Sequence, residues 1–226
     1  MALLGNAVLA VWNNVDPAHE REFNDWYLHQ HVAERVAAPG FLRGRRYRAA
    51  EGAPRYFAFY ETVNEAALRA PAYTGLLENP TEWTRKVMPH FRDTERSICL
   101  PTASLGGGIG AAATAVHFCP ASGEEAALRA RIATELLPKL IAMPEIVAAH
   151  LWEAAHHGTA RANAEIALRG APDKGVAWVI VIEATEADAL IPTRGTIRSA
   201  HLVDAESLAF YPRYSLLFAL TAAEAA

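Results

Sequence analysis

Apolar residues fall along this chain in two rhythms that follow one another in a fixed order. Ala7 to Trp12 is a short, almost unbroken apolar run, the length of a buried strand. Asp16 and Pro17 then provide an N-cap and a first helical residue, because the aspartate oxygen accepts from an unpaired N–H and proline needs no donor there. Apolar positions recur at helical spacing to about Ala38, where Pro39 and Gly40 stop the helix. Phe41 to Arg48 and Arg55 to Glu61 read as paired strands. Thr62 with Glu65, and Asn79 with Pro80 and Glu82, start two short helices, and Thr94 to Leu100 is a closing strand. The second half repeats the order: Ala113 to Cys119, a helix capped by Ser122 with Glu125 three residues on, Ile146 to Ala154, Val176 to Ala184, a helical turn opened by Thr185 and Asp188, and Tyr211 to Leu220. Each half is therefore a βαββαβ, ferredoxin-like unit. Such a unit covers one sheet face with its own helices and leaves the other in need of cover. The predicted fold class is α+β, with two such repeats in one chain packing sheet to sheet as a pseudo-dimeric barrel.

Direct comparison of the halves supports a duplication. PGFLRGRRYRAA from Pro39 lies beneath PEIVAAHLWEAA from Pro144 with proline, an apolar residue, an aromatic and a terminal Ala pair in register. YFAFYET from Tyr56 matches WVIVIEA from Trp178, placing Glu61 over Glu183. The second match needs a longer offset, which puts an insertion between His156 and Gly175. SLGGGIG, Ser104 to Gly110, reads as a flexible connector. It has no Lys-Ser/Thr pair or long following helix, and GxGxxG is absent, so it is no phosphate cradle. The expected division is residues 1–103, a linker at 104–110, and residues 111–226 with the insertion near 156–175.

Composition narrows the function classes. At 52% apolar and 20% charged residues, the chain can build a sizeable core. A formal net charge of −4, with basic residues scattered outside Arg43 to Arg48, offers no field for nucleic acid. No apolar run approaches the ~20 residues that span a bilayer, and the first residues lack a basic leader and a cleavage site. No membrane partner and a cytoplasmic location are expected. Cys99 and Cys119 sit in no CxxC or Cys/His spacing and read as reduced packing thiols.

The stretch EFNDWYLHQHVAERVAAPGFLRGRRYRA, Glu22 to Ala49, resembles the start of EthD-like proteins of the dimeric α+β barrel superfamily. The resembling order is a helical aromatic, three residues, a histidine, a Pro-Gly pair and an aromatic strand, here Tyr27, His31, Pro39, Gly40 and Tyr47. Most members carry one ferredoxin-like unit per chain and dimerise to close the barrel, so the resemblance implies a tandem-fused pair. Such a pair closes its own barrel, and a further homodimer is left open. The superfamily includes cofactor-independent oxygenases, dehydratases, isomerases and haem-handling enzymes, which implies a small-molecule pocket. The position matching His31 in the second helix is aliphatic or alanine, so a catalytic histidine would exist once per chain.

The residues themselves narrow the choice. His29 and His31, two apart on a helix, project about 200° from each other and cannot chelate one ion. Only one can face the sheet. Tyr27, His31 and Glu34 share a side with Phe23, giving an aromatic-lined site with a group that titrates near neutrality. Along the Phe41 strand, alternation sets Phe41, Arg43, Arg45 and Tyr47 on one face and Leu42, Gly44, Arg46 and Arg48 on the other. A buried arginine needs a partner, which a ligand carboxylate or enolate, or Glu61, could supply. Tyr56 and Tyr60 share a face with Ala58 between them and form a pocket wall, and Trp26, Trp83, Trp152 and Trp178 suit either a planar ligand or a core. His156 and His157 begin the insertion, while His117, His150 and His201 are scattered, and among these no HxH, HxxxH or HExxH spacing suggests a metal. GxSxG is absent as well.

The resulting expectation is a small-molecule-binding barrel, working without a cofactor as a lyase, isomerase or oxygenase on a planar aromatic or polyketide-like substrate. His31 would move the proton, Tyr27 or Tyr60 would bind the substrate oxygen and Arg46 would face the developing charge, with Tyr47, Tyr56, Tyr60 and Trp26 around the substrate. The alternative is a non-catalytic ligand-binding or assembly module. Haem is a weaker third option that a missing Soret band after haem titration would remove.

Overall fold

The computed structural model describes residues 3–155, 163–202 and 212–225. Its strands form one closed antiparallel barrel in the order β1-β3-β2-β8-β5-β7-β6-β4. The first repeat supplies β1 (Ala7–Val15), helices α1 (Glu20–Trp26) and α2 (Val32–Val36), β2 (Phe41–Glu51), β3 (Tyr56–Thr62), helices α3 (Pro71–Glu78) and α4 (Glu82–Val87), and β4 (Phe91–Gly106). The second supplies β5 (Ala112–Phe118), α5 (Glu125–Arg131), α6 (Leu137–Ile141), β6 (Ile146–Ala154), α7 (Ala164–Arg169), β7 (Trp178–Ala184), α8 (Thr193–Ser199) and β8 (Arg213–Thr221). The repeats meet edge to edge, β2 on β8 and β4 on β6, which removes the free edges that otherwise template aggregation. Among the described residues no helix is long and apolar enough to cross a membrane.

Strand alternation sorts the apolar residues into three layers. Tyr56, Ala58 and Tyr60 face the first repeat's helices, whereas Phe57 and Phe59 point into the barrel with Trp12, Tyr47, Trp152 and Tyr214. The third layer, under the second repeat's helices, is aliphatic apart from Phe118 and Trp178.

Local signals account for some element ends. Asp16 accepts from the Ala18 N–H at 3.1 Å ahead of Pro17. Three expectations differ. The connector begins as strand, because Ser104, Leu105 and Gly106 still pair with His150, Ala149 and Ala148 of β6; backbone pairing that closes a barrel does not depend on the side chains. Ser122 caps nothing: α5 starts from Glu124 with no side-chain cap. Phe41 leaves the face of Arg43 and Arg45 because β2 carries a bulge between Phe41 and Arg43, and Phe41 packs on Tyr73 under the helices. Tyr211, His156 and His157 lie outside the described residues.

A charged network crosses the barrel interior. Glu61 accepts from Arg43 at 2.7 Å and Arg45 at 3.1 Å, and Arg45 also donates to Glu183 of the second repeat at 2.7 Å. Glu183 further accepts from the Gly110 N–H at 2.9 Å and meets His150 at 3.3 Å, whose other ring nitrogen is 2.7 Å from Ser104. Burial raises the Glu183 pKa, but the His150 hydrogen bond and the Arg45 charge outweigh it, and its carboxyl stays below the usual range.

Candidate functional site

The first repeat's long helix is continuous from α1 to α2 through a π-turn at Tyr27–His31. A π-turn adds a residue to the turn and shifts every later side chain around the axis. Phe23, Tyr27, His31 and Arg35, each four apart, are consequently all buried. Glu34, expected on this side from regular 3.6-residue spacing, is displaced to a half-buried position and Arg35 takes its place. His29 is exposed, as its opposite projection from His31 requires. From below, β2 presents Arg46 and β3 presents Tyr56, Ala58 and Tyr60.

Arg46 is the electrostatic centre of this layer. Its guanidinium lies 4.0 Å from the ring centre of Tyr27, 4.7 Å from Tyr56 and 4.8 Å from Phe23. One Nη donates to Asn24 Oδ1 at 2.9 Å; Asn24 in turn donates to the Tyr56 hydroxyl at 3.0 Å, and Tyr56 donates to Glu20 at 2.5 Å. Among the described residues no carboxylate pairs with Arg46, and its Nε is buried without a partner. Burial lowers its pKa to about 10, so it stays charged at neutral pH. A buried guanidinium held only by ring faces and one amide is a cation without a counter-charge.

His31 packs 4.1 Å from the Trp26 ring and 4.9 Å from Tyr27, with Tyr60 at 6.3 Å. Its Nδ1 and the Tyr60 hydroxyl are buried without partners among the described residues. Burial first, then the charges of Arg35, Arg46 and Arg169, push the imidazole well below 6.5, and burial pushes the Tyr60 and Tyr27 phenols up. At neutral pH the site therefore holds a neutral imidazole, two neutral phenols and concentrated positive charge. The depressed histidine has a stability consequence. Below 6.5 the unfolded chain takes up a proton that folded His31 refuses, so stability falls with pH in that window, by up to about 1.4 kcal/mol per unit. Urea unfolding at pH 7.5 and 5.5 is expected to show this loss in wild type and a smaller one in His31→Leu.

The second repeat completes the site. Its α7 comes from the insertion, capped by Asn163 on the Ile166 N–H at 3.0 Å. It brings Glu165 onto Arg35 in a buried ion pair and packs Leu168 against the first repeat's core. Arg169 is tied to Asp173 at 2.5 Å. Nothing in the local sequence marks Arg35, Glu165 or Arg169 as site residues. Arg35 depends on the π-turn and the other two on tertiary packing.

Of the expected site residues, Tyr27, His31, Arg46, Tyr56, Tyr60 and Trp26 converge. Trp26 backs His31 and donates to Thr84 at 3.2 Å. Tyr47 does not join them. As the strand neighbour of Arg46 it must point the other way, and it stacks on Phe57 inside the barrel. Its hydroxyl faces Arg45 but falls short of a well-formed hydrogen bond. Among the described residues no group of three His, Cys, Asp or Glu side chains could hold a metal ion.

The second repeat offers an internal control. It has its own π-turn at Ile132–Leu136. Leu151 there pairs with Ile180 as Arg46 pairs with Ala58, and Ile182 pairs with Thr114 as Tyr60 pairs with Leu9. Where the first repeat has Tyr27, His31, Arg35, Arg46 and Tyr60, the second has Ile132, Leu136, Leu140, Leu151 and Ile182, all buried.

No family model matches the chain, and no curated protein is similar to it in sequence. Solved structures do share the fold. An anthrone oxidase-like protein superposes with a TM-score of 0.64 at 13% identity, over 97% of this chain and 94% of its own. A candidate monooxygenase from Lactobacillus acidophilus NCFM gives 0.54 at 8% identity, over 95% and 94%. A mutant chlorite dismutase from Candidatus Nitrospira defluvii gives 0.52 at 8%, over 93% and 90%. At such identities the likeness is one of architecture.

Proposed function

We propose that the helix–sheet layer of the first repeat binds a planar phenolic or enolisable small molecule and acts on it as a cofactor-independent oxygenase, in an EthD-like unit fused in tandem. The observation that carries this reading is the contrast between repeats. One backbone design is filled with aliphatic residues in the second repeat, so the fold does not require histidine, arginine and tyrosine at the same places in the first. Buried polar groups without partners are costly and concentrate where a ligand satisfies them.

In this reading Tyr27 or Tyr60 donates to the substrate oxygen, and Nδ1 of neutral His31 takes a proton from the adjacent carbon. Arg46 offsets the enolate charge, lowering the substrate's acidity barrier more than it weakens the base. The carbanion adds dioxygen to give a hydroperoxide. Proton return from His31 and loss of water leave a carbonyl, so a CH2 group and O2 become C=O and H2O. The names of the anthrone oxidase-like and monooxygenase neighbours favour oxygen chemistry over isomerisation.

A second reading, a ligand-holding module without turnover, is favoured by the near-complete burial of every site residue. Oxygen-electrode measurements on a panel of anthrones, polycyclic phenols and β-diketones separate the two. Substrate-dependent oxygen uptake that fails in His31→Leu is expected; binding without uptake leaves the second reading in place.

A further inference from the structure

Three arginine charges reach His31: Arg46 lies over the Tyr27 and Tyr56 rings, while Arg35 lies 5.8 Å from the ring centre of Tyr73. Arg35 is eight residues beyond Tyr27, with His31 between them, a rise of about 12 Å along the helix. That distance is comparable to a fused two-ring aromatic with polar groups at both ends. Arg35 is 2% exposed. One of its Nη atoms is held by Glu165 and the other is buried with no partner among the described residues. Arg169 is tied to Asp173 through one Nη, while its Nε is buried and likewise unpartnered. The group that already sits on Arg35 is a carboxylate, and it is carried in by the second repeat. A guanidinium fork presents two parallel N–H edges that match carboxylate geometry. Here one edge is taken and one is not.

We infer that Arg35 and Arg169 form a carboxylate subsite at the opposite end of the site from Arg46, so that the ligand is a fused-ring phenol or enol with a carboxylate at its far end. Glu165 competes for the same cation and sets how strongly that carboxylate is held. This inference rests on the proposed site but adds a second anchor and a substrate class. It also gives the insertion of the second repeat a role, namely specificity for a ligand bound in the first.

The test uses 6-hydroxy-2-naphthoate and its methyl ester, both carrying the same naphthol, with binding measured by calorimetry. Wild type is expected to prefer the acid. Glu165→Gln, which keeps a hydrogen-bond acceptor and removes the charge, is expected to tighten the acid about tenfold or more and leave the ester unchanged. Arg35→Met is expected to abolish the preference. Thermal unfolding is followed in parallel. If Glu165→Gln does not fold, Glu165→Asp, which draws the carboxylate back by one methylene, is expected to tighten the acid in the same direction. Equal binding of acid and ester in wild type, or acid affinity indifferent to Glu165, overturns the subsite while leaving the naphthol site intact. Failure of both probes to bind overturns the subsite and the proposed site together.

Discussion

Replacing Glu183 with leucine is expected to destabilise the barrel by about 3–5 kcal/mol, a large fraction of a domain's total stability. Glu183 is the carboxylate on which the second repeat receives Arg45 from the first, and His150 and the Gly110 N–H share it. Removing it takes one carboxylate away from a fully buried guanidinium. Glu61 still faces Arg45, but it also serves Arg43 and the Leu4 N–H at 2.6 Å. The same logic sets the control. Arg45→Met combined with Glu183→Leu removes both charges and is expected to recover much of the loss, because what costs most is the unpaired charge rather than the absent pair. Urea unfolding of the two single variants and the double variant measures the coupling. Additive losses would mean that the network does not hold the repeats together.

His31→Leu is expected to lower turnover by about 10²–10⁴-fold, the usual contribution of a positioned general base, while leaving the chain folded. The substitution copies the second repeat, where Leu136 occupies the matching turn and is buried. It also removes a polar ring whose Nδ1 has no partner, so thermal stability at neutral pH should hold or rise. Loss of activity with retained stability is the pattern of a group kept for chemistry. Equal rates in both proteins would take His31 out of the reaction, and a large stability loss would make it a packing residue.

The architecture was legible because it is written in periodicities. Alternating strands, the Asp16–Pro17 helix start and the Pro39–Gly40 stop are local signals, and the repeat alignment sets Glu61 over Glu183, two carboxylates that the structure joins through Arg45. Helix spacing groups Tyr27 with His31 and strand alternation groups Tyr56 with Tyr60, but spacing alone leaves open which face of the Phe41 strand meets them, so the place of Arg46 needs the tertiary structure. Arg35 was missed because regular spacing favours Glu34, and only the π-turn turns the helix far enough to exchange them. Glu165 and Arg169 were out of reach for a different reason. Both are distant in sequence, and their place depends on how the insertion folds back over the other repeat. Arg46 and Tyr47 are neighbours on one strand, so alternation sends them to opposite faces, and Tyr47 goes to the barrel interior.

The central claim, that the first repeat builds a site for an organic anion around the uncompensated charge of Arg46, is most directly tested by the ultraviolet spectrum of bound 1-naphthol at pH 7. Wild type is expected to bind it with the red-shifted absorption of the naphtholate, and Arg46→Met is expected to bind it more weakly and in its neutral form. A neutral spectrum in the wild-type complex, or a spectrum unaffected by Arg46→Met, would contradict the claim.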